Sequence, residues 1–118
     1  MNIKLEYLYR DAGNFKNYGE VIFSNPNNIA LDIIASMVEK VLIDNMYFVA
    51  SKVGLPDLRF AEYIPHLDHD WHEVDALQPT NDLPNDPGHR NIEEFIESLR
   101  QKSDSDLSWG YFMRKPSL

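Results

Sequence analysis

The chain has no cysteine in its 118 residues. That removes disulfides, thiolate metal sites and thiol nucleophiles together, and it suits a reducing compartment. It also lacks any long hydrophobic run. The most apolar stretch, residues 29–43, is broken by Asp32, Glu39 and Lys40, so no membrane span is expected. The opening MNIKLEYLYRD has no basic start followed by an apolar block, so no signal peptide is expected and the expected location is the cytoplasm. Positive charge is scarce as well: 11 Lys and Arg stand against 19 Asp and Glu, for a net charge of -8. Such a field repels phosphates and anionic lipid and attracts basic protein surfaces. It argues against direct nucleic-acid binding, whose usual footprint is a basic patch. None of the serines lies in a Gly-x-Ser-x-Gly elbow, so nothing marks a serine nucleophile.

What is present fits one domain of ordinary size, large enough to bury a core without staples. Residues 2–10 alternate, with Ile3, Leu5, Tyr7 and Tyr9 on one side, which is the period of a half-buried strand. DAGNFKNYGE supplies turn formers, and EVIFSN reads as a second strand completing a hairpin. Pro26 stops that strand. Asn27 or Asn28 can cap a helix to about Ile43, in which Leu31, Ile34, Met37, Val38, Val41 and Leu42 recur at helical spacing. MYFVA, LRFAEYI and DWHEVDAL read as three further strands. Residues 78–90, with three prolines, read as a surface loop. A second helix follows from Asn91, where Asn91 and Glu94 make a capping-box pair and Ile92, Phe95, Ile96 and Leu99 share a face.

The expected fold is therefore α+β and two-layered. A mainly antiparallel sheet of about five strands carries two helices on one face, in the order ββαβββα. The domain spans residues 1–102, and 103–118 is an aromatic extension that can add one more strand. The expected core includes Ile3, Leu5, Tyr7, Val21, Phe23, Ile34, Val38, Val41, Phe48, Phe60, Trp71, Phe95, Ile96 and Leu99.

Chemistry concentrates in HLDHDWHEVD, residues 66–75. In an unbroken strand His66, Asp68, Asp70 and His72 face one way, and Leu67, His69, Trp71 and Glu73 the other. Members of one face lie ~6.5 Å apart along a strand, whereas zinc–ligand bonds are about 2 Å. A metal set of His66, Asp68, His69, Asp70 and His72 therefore needs a turn near Leu67–His69. The plainer reading is a solvated polar edge that discourages aggregation. A third is a pH-sensitive contact.

The hairpin loop YRDAGNFKNYG offers Arg10, Asp11, Asn14, Lys16 and Tyr18 for a carboxylate, a phosphate or a partner's polar rim. The plainer reading has Asp11 capping its own turn and Arg10 pairing with Glu6 or Glu20. In the extension, Trp109, Tyr111, Phe112 and Met113 are residue types favoured at protein contacts. They read equally well as a closing strand on the domain's own sheet.

As a set, YRDAGNFKNYGEVIFSNP, LID, VGLPDL and DHDWHEV resemble a family of small acidic bacterial proteins of no established activity. The similarity covers residues 3 to about 100. It implies that Tyr9, Arg10, Asp11, Asn14, Lys16, Trp71, His72 and Glu73 belong to a shared pattern, and it carries no catalytic role.

The sequence points to a protein-binding or regulatory module of inhibitor or immunity type, more than to an enzyme. Another protein, including a second copy of the chain, is the expected partner. No cofactor is expected. The rival is a metal-dependent hydrolase using a divalent ion at residues 66–73.

Overall fold

The alternating opening pairs with the segment after it, as its pattern requires. In the computed structural model, which describes residues 1–61 and 69–102, β1 (Asn2–Arg10) and β2 (Lys16–Phe23) form an antiparallel hairpin from Ile3↔Phe23 to Arg10↔Lys16. Asp11 closes the turn between them. Its Oδ1 accepts the Phe15 N–H at 2.8 Å, and Asn14 takes the left-handed conformation at φ 67°.

Helix α1 (Leu31–Val41) follows. Its N-cap is Ala30, with no side-chain cap, so neither Asn27 nor Asn28 caps it. Asn25 does the local work one turn earlier, binding both the N–H and the C=O of Ile29. The helix ends at Leu42, which is extended. Asp44 and Asn45, both left-handed, then turn the chain into β3 (Tyr47–Phe48) and a 3-10 turn at Ala50–Val53. Strand β4 (His72–Thr80) lies between β1 and β3, giving the sheet order β2-β1-β4-β3.

Helix α2 covers residues 92–102. The expected capping box closes it: the Asn91 N–H donates to Glu94 Oε1 at 3.0 Å, and the Glu94 N–H to Asn91 Oδ1 at 2.8 Å. Phe95 stacks on Phe23 with ring centroids 4.4 Å apart. One cluster joins Ile34 and Val38 of α1, and Ile92, Phe95 and Leu99 of α2, to Ile3, Leu5, Tyr7, Val21 and Phe23 of the hairpin. The residues that alternate with these on β1 and β2 face the other side of the sheet. Among the described residues no helix is long and apolar enough to cross a membrane.

The fold is α+β, and among the described residues the sheet has four strands. The expected strand LRFAEYI has no ladder over residues 58–61, and its remainder, like the extension after 102, lies outside the described residues. The cause is local. Side chains, three of them from elsewhere in the chain, take the backbone groups of this segment. The Pro56 carbonyl accepts the Tyr7 hydroxyl at 2.7 Å, and the Leu58 carbonyl accepts Asn17 Nδ2 at 3.1 Å. The Leu58 N–H donates to His72 Nε2 at 3.0 Å, and the Arg59 N–H to Asp57 Oδ1 at 2.9 Å.

A second departure lies in β4. The β1–β4 register runs Leu5↔Leu77 and Glu6↔Ala76, then jumps to Tyr7↔Val74 and Tyr9↔His72. Asp75 is the extra residue of a bulge. A bulge reverses which face each later side chain takes. An unbroken strand carrying Leu77 inward would bring Glu73 and Trp71 inward too. The bulge brings Val74 and His72 inward instead. Trp71, expected in the core, is therefore only half-buried, while His72 is 1 % exposed. Phe60 and Val41 are also half-buried.

Candidate functional site

His72 sits in the core among Tyr7, Tyr9 and Phe48, with ring centroids 5.4 to 6.1 Å away. The Leu58 N–H donates to its Nε2, and its Nδ1 lies 3.1 Å from the Asp70 carbonyl. A backbone N–H can only donate, so Nε2 is the unprotonated acceptor. Nδ1 then carries the proton and gives it to Asp70. Both ring nitrogens are used, and the imidazole is neutral. Burial pushes its pKa below the ordinary histidine value, against the pull of the Asp70 carbonyl and of Asp57. The sequence expectation that His72 shares an outer face with Asp70 as a metal ligand is corrected here: it has no lone pair free for an ion.

Around this ring the polar groups of the segment hold the loop in place. The Tyr9 hydroxyl donates to the His69 carbonyl at 2.8 Å, and the Trp71 N–H to His69 Nδ1 at 3.0 Å. Arg59 bridges Asp57 and Asp70, each at 2.7 Å. Its hydrogen bonds hold the Asp57 carboxyl below the usual carboxylate range, and donating to Asp57 and Asp70 raises Arg59 in turn. Burial, aided by Asp57, pushes the Tyr7 phenol up to about 12. Among the described residues no three of His, Asp and Glu are grouped to hold a metal ion. His66 and Asp68 lie outside the described residues.

The outward side of the same strands carries a different set. The register places Tyr18, Leu8, Glu73 and Tyr47 side by side across β2, β1, β4 and β3. Trp71 stacks on Tyr47, with centroids 5.0 Å apart and planes at 26°. Arg10 reaches across to Glu73, Nε to Oε2 at 2.9 Å, and its Nη1 donates to Asn14 at 2.5 Å. The Glu73 hydrogen bond raises the Arg10 pKa. Arg10, Met46, Tyr47, His69, Trp71 and Glu73 line an open hollow of about 480 Å³.

The sequence-selected residues thus divide. Arg10, Asn14, Trp71 and Glu73 come together on the outer face. Tyr9 and His72 are core. Asp11 closes its own turn, and Lys16 is exposed beside Arg10 in register. Arg10 pairs with Glu73, not with Glu6 or Glu20. Trp109, Tyr111, Phe112 and Met113 lie outside the described residues. Sequence reasoning missed Tyr47 and Met46 here. Their signal was present, since a short aromatic strand must show one of Tyr47 and Phe48 to the outer face.

It also missed a buried ion pair. Asp86, 3 % exposed, takes a two-pronged hold from Arg90, Nε to Oδ2 and Nη2 to Oδ1, each at 2.9 Å. Arg90 Nη1 donates to the Val53 carbonyl at 2.7 Å, and the guanidinium lies over the Phe95 ring. Burial raises the Asp86 carboxyl, but the hydrogen bonds from Arg90 outweigh it and the net direction is down. This joint fastens the loop before α2. Nearby, Asn85 pairs with Ile22 on the free edge of β2 through backbone and side chain.

Compared with known proteins, the chain matches no family model, no curated protein and no solved structure. The resemblance drawn above rests on its quoted residues alone.

Proposed function

We propose that this protein is a small acidic protein-binding or regulatory module, of inhibitor or immunity type, that meets its partner through the outer face of the sheet. One observation carries the reading: the row Tyr18–Leu8–Glu73–Tyr47, flanked by Trp71 and Arg10. Tyrosine, tryptophan, methionine and arginine are the residues that anchor protein interfaces. Tyr18 is 60 % exposed and Met46 50 %, and Phe15 at the hairpin tip is 71 % exposed. Leu8 is already covered, at 4 % exposed, so the rings and Met46 around it are what a contact would hide, with the ion pair at its rim. The net charge of -8 favours a basic partner surface. The absence of cysteine is compatible with work in the cytoplasm.

The test is affinity capture from the organism that carries the gene, with the full chain as bait beside Tyr18→Ala/Trp71→Ala and Glu39→Gln baits of unchanged melting midpoint. A partner held by the wild type and by Glu39→Gln, and released at least tenfold by the outer-face variant, supports the reading. A partner held equally by all three, or no partner at all, contradicts it.

A further inference from the structure

Strand β3 pairs with β4 only at His72 and Glu73. From Val74 to Thr80 the outer edge of β4 therefore has no strand beside it among the described residues. Pro79 blunts the far end of that edge, since it has no N–H to offer. The nearer part stays open as a template for one more strand.

Helix α1 flanks this edge, and an open groove of about 500 Å³ runs between them. Its floor is apolar, built from Leu31, Ala35, Leu42, Met46, Val74 and Leu77. Its rim is acidic: Asp32, Glu39 and Asp75 line it and are exposed. No cation among the described residues pairs with any of the three, while Glu73 at one end is committed to Arg10. The occupant that fits is an extended segment with large apolar side chains, a backbone able to pair with β4, and positive charge at one end.

The sequence contains such a segment. Residues 109–115 read Trp-Gly-Tyr-Phe-Met-Arg-Lys. They hold four bulky apolar side chains, no carboxylate and no proline, and Arg114–Lys115 is the one adjacent pair of cations in the chain. Six residues, 103–108, separate them from α2 and span up to ~20 Å when extended. The end of α2 opens beside Lys52, Val53 and Gly54, which follow β3 closely in the chain, and Met46 just before β3 lines the groove. The segment therefore starts beside the 3-10 turn that follows β3.

We propose that the α1–β4 groove is the docking site for residues 109–115 of the same molecule, which add along the free edge of β4 and set Arg114 and Lys115 against Asp32, Glu39 and Asp75. Docking covers the one open sheet edge beside α1 and neutralises part of the acidic rim. The groove meets the outer-face hollow at Met46 and Glu73, but the assignment is tested by its own measurement.

The lack of native cysteine makes disulfide capture clean. In the full chain, Ala35→Cys is combined with Tyr111→Cys, and as a control Ser51→Cys with Tyr111→Cys. Loss of free thiol and the mass on a non-reducing gel are followed under mild oxidation. The expected result is an intramolecular bond at monomer mass, formed at least tenfold faster at Ala35 than at Ser51. Asp32→Lys/Glu39→Lys should slow it about tenfold, and Arg114→Glu/Lys115→Glu in that background should restore it. Equal rates at the two sites overturn the proposal, and so does a bond formed mainly between molecules. A second reading needs no cysteine. In Trp71→Phe, Trp109 is the only tryptophan left, and its emission should be blue-shifted and shielded from acrylamide until Asp32→Lys/Glu39→Lys exposes it. Emission at the fully exposed wavelength in the unmodified groove overturns the proposal as well.

Discussion

Two polar joints hold this fold, and the sequence advertises them in opposite ways. His72 comes from the most chemically crowded ten residues of the chain. Asp86 and Arg90 come from a proline-rich loop that looks like a plain connection. His72 and Asp86 turn out buried, and each is held by hydrogen bonds. His72 ties the loop at Leu58 and Asp70 to β4. Asp86 and Arg90 tie the loop before α2 to Val53. The lesson is that a dense run of titratable residues is not the same as available chemistry. What counts is which groups keep a lone pair or a proton to spare: both His72 ring nitrogens are taken, and Asp86 and Arg90 are committed to each other. The outward groups are a different set: Tyr18, Tyr47 stacked with Trp71, and the Arg10–Glu73 pair.

The comparison can be broken from either side. The largest effect belongs to the charged joint. Asp86→Ala leaves a guanidinium with no carboxylate in a largely enclosed place and should cost about 3–5 kcal/mol, read by urea titration. A loss under ~1 kcal/mol would show the pair to be wet. His72→Ala comes next. It opens a cavity and leaves the Leu58 N–H and the Asp70 carbonyl unpaired, for about 2–4 kcal/mol. His72→Gln, which can both accept and donate, should recover part of that.

The histidine joint alone predicts pH dependence above the carboxylate range. The folded state holds His72 neutral with a lowered pKa. The unfolded state protonates it near the ordinary value of about 6.5. Between the folded and unfolded values the unfolded chain binds more protons, so stability is complete above about 6.5 and falls as pH drops below it, by at most ~1.4 kcal/mol per pH unit. Melting curves from pH 7.5 to 5 should show this slope reduced in His72→Gln by the share of one histidine. An identical slope in both would remove His72 from the account. Asp86 and Asp57, lowered by their arginines, contribute only at more acid pH, where protonation begins to break their pairs.

The smallest effects belong to the outer face. Trp71→Ala removes the stack on Tyr47 and should cost on the order of 1 kcal/mol, the scale of one aromatic pair. Arg10→Ala should change stability least, and its effect should vanish in high salt because the pair is partly open to water. Large losses for either would mean that this face is structural and not free for a partner.

Much of the scaffold was legible because it rests on local patterns. The β1–β2 hairpin shows in the alternation of Ile3, Leu5, Tyr7 and Tyr9. Helix α1 shows in its apolar spacing, and the start of α2 in Asn91 and Glu94. What was not legible depends on long-range geometry. The bulge at Asp75 involves no glycine or proline and leaves the local pattern looking regular, so Trp71 was expected inward and His72 opposite it, the reverse of what the register gives. The segment at 56–60 has strand-forming residues, yet Tyr7, Asn17 and His72 supply its hydrogen bonds from elsewhere, and Asp57 bonds Arg59 within it. Asp86 and Arg90 stand four apart after a turn, which hints at a pair but says nothing of burial. The outer face emerged only once the register aligned Tyr18, Leu8, Glu73 and Tyr47.

The most direct test is nitrogen NMR of the His72 ring in the full chain, from pH 8 to 5, with and without added zinc. The account predicts a neutral ring protonated at Nδ1, with Nε2 bare and accepting, titrating below the ordinary histidine range and unmoved by zinc. A ring protonated at Nε2, one that titrates at or above that range, or one whose Nε2 signal shifts on binding the ion would contradict it.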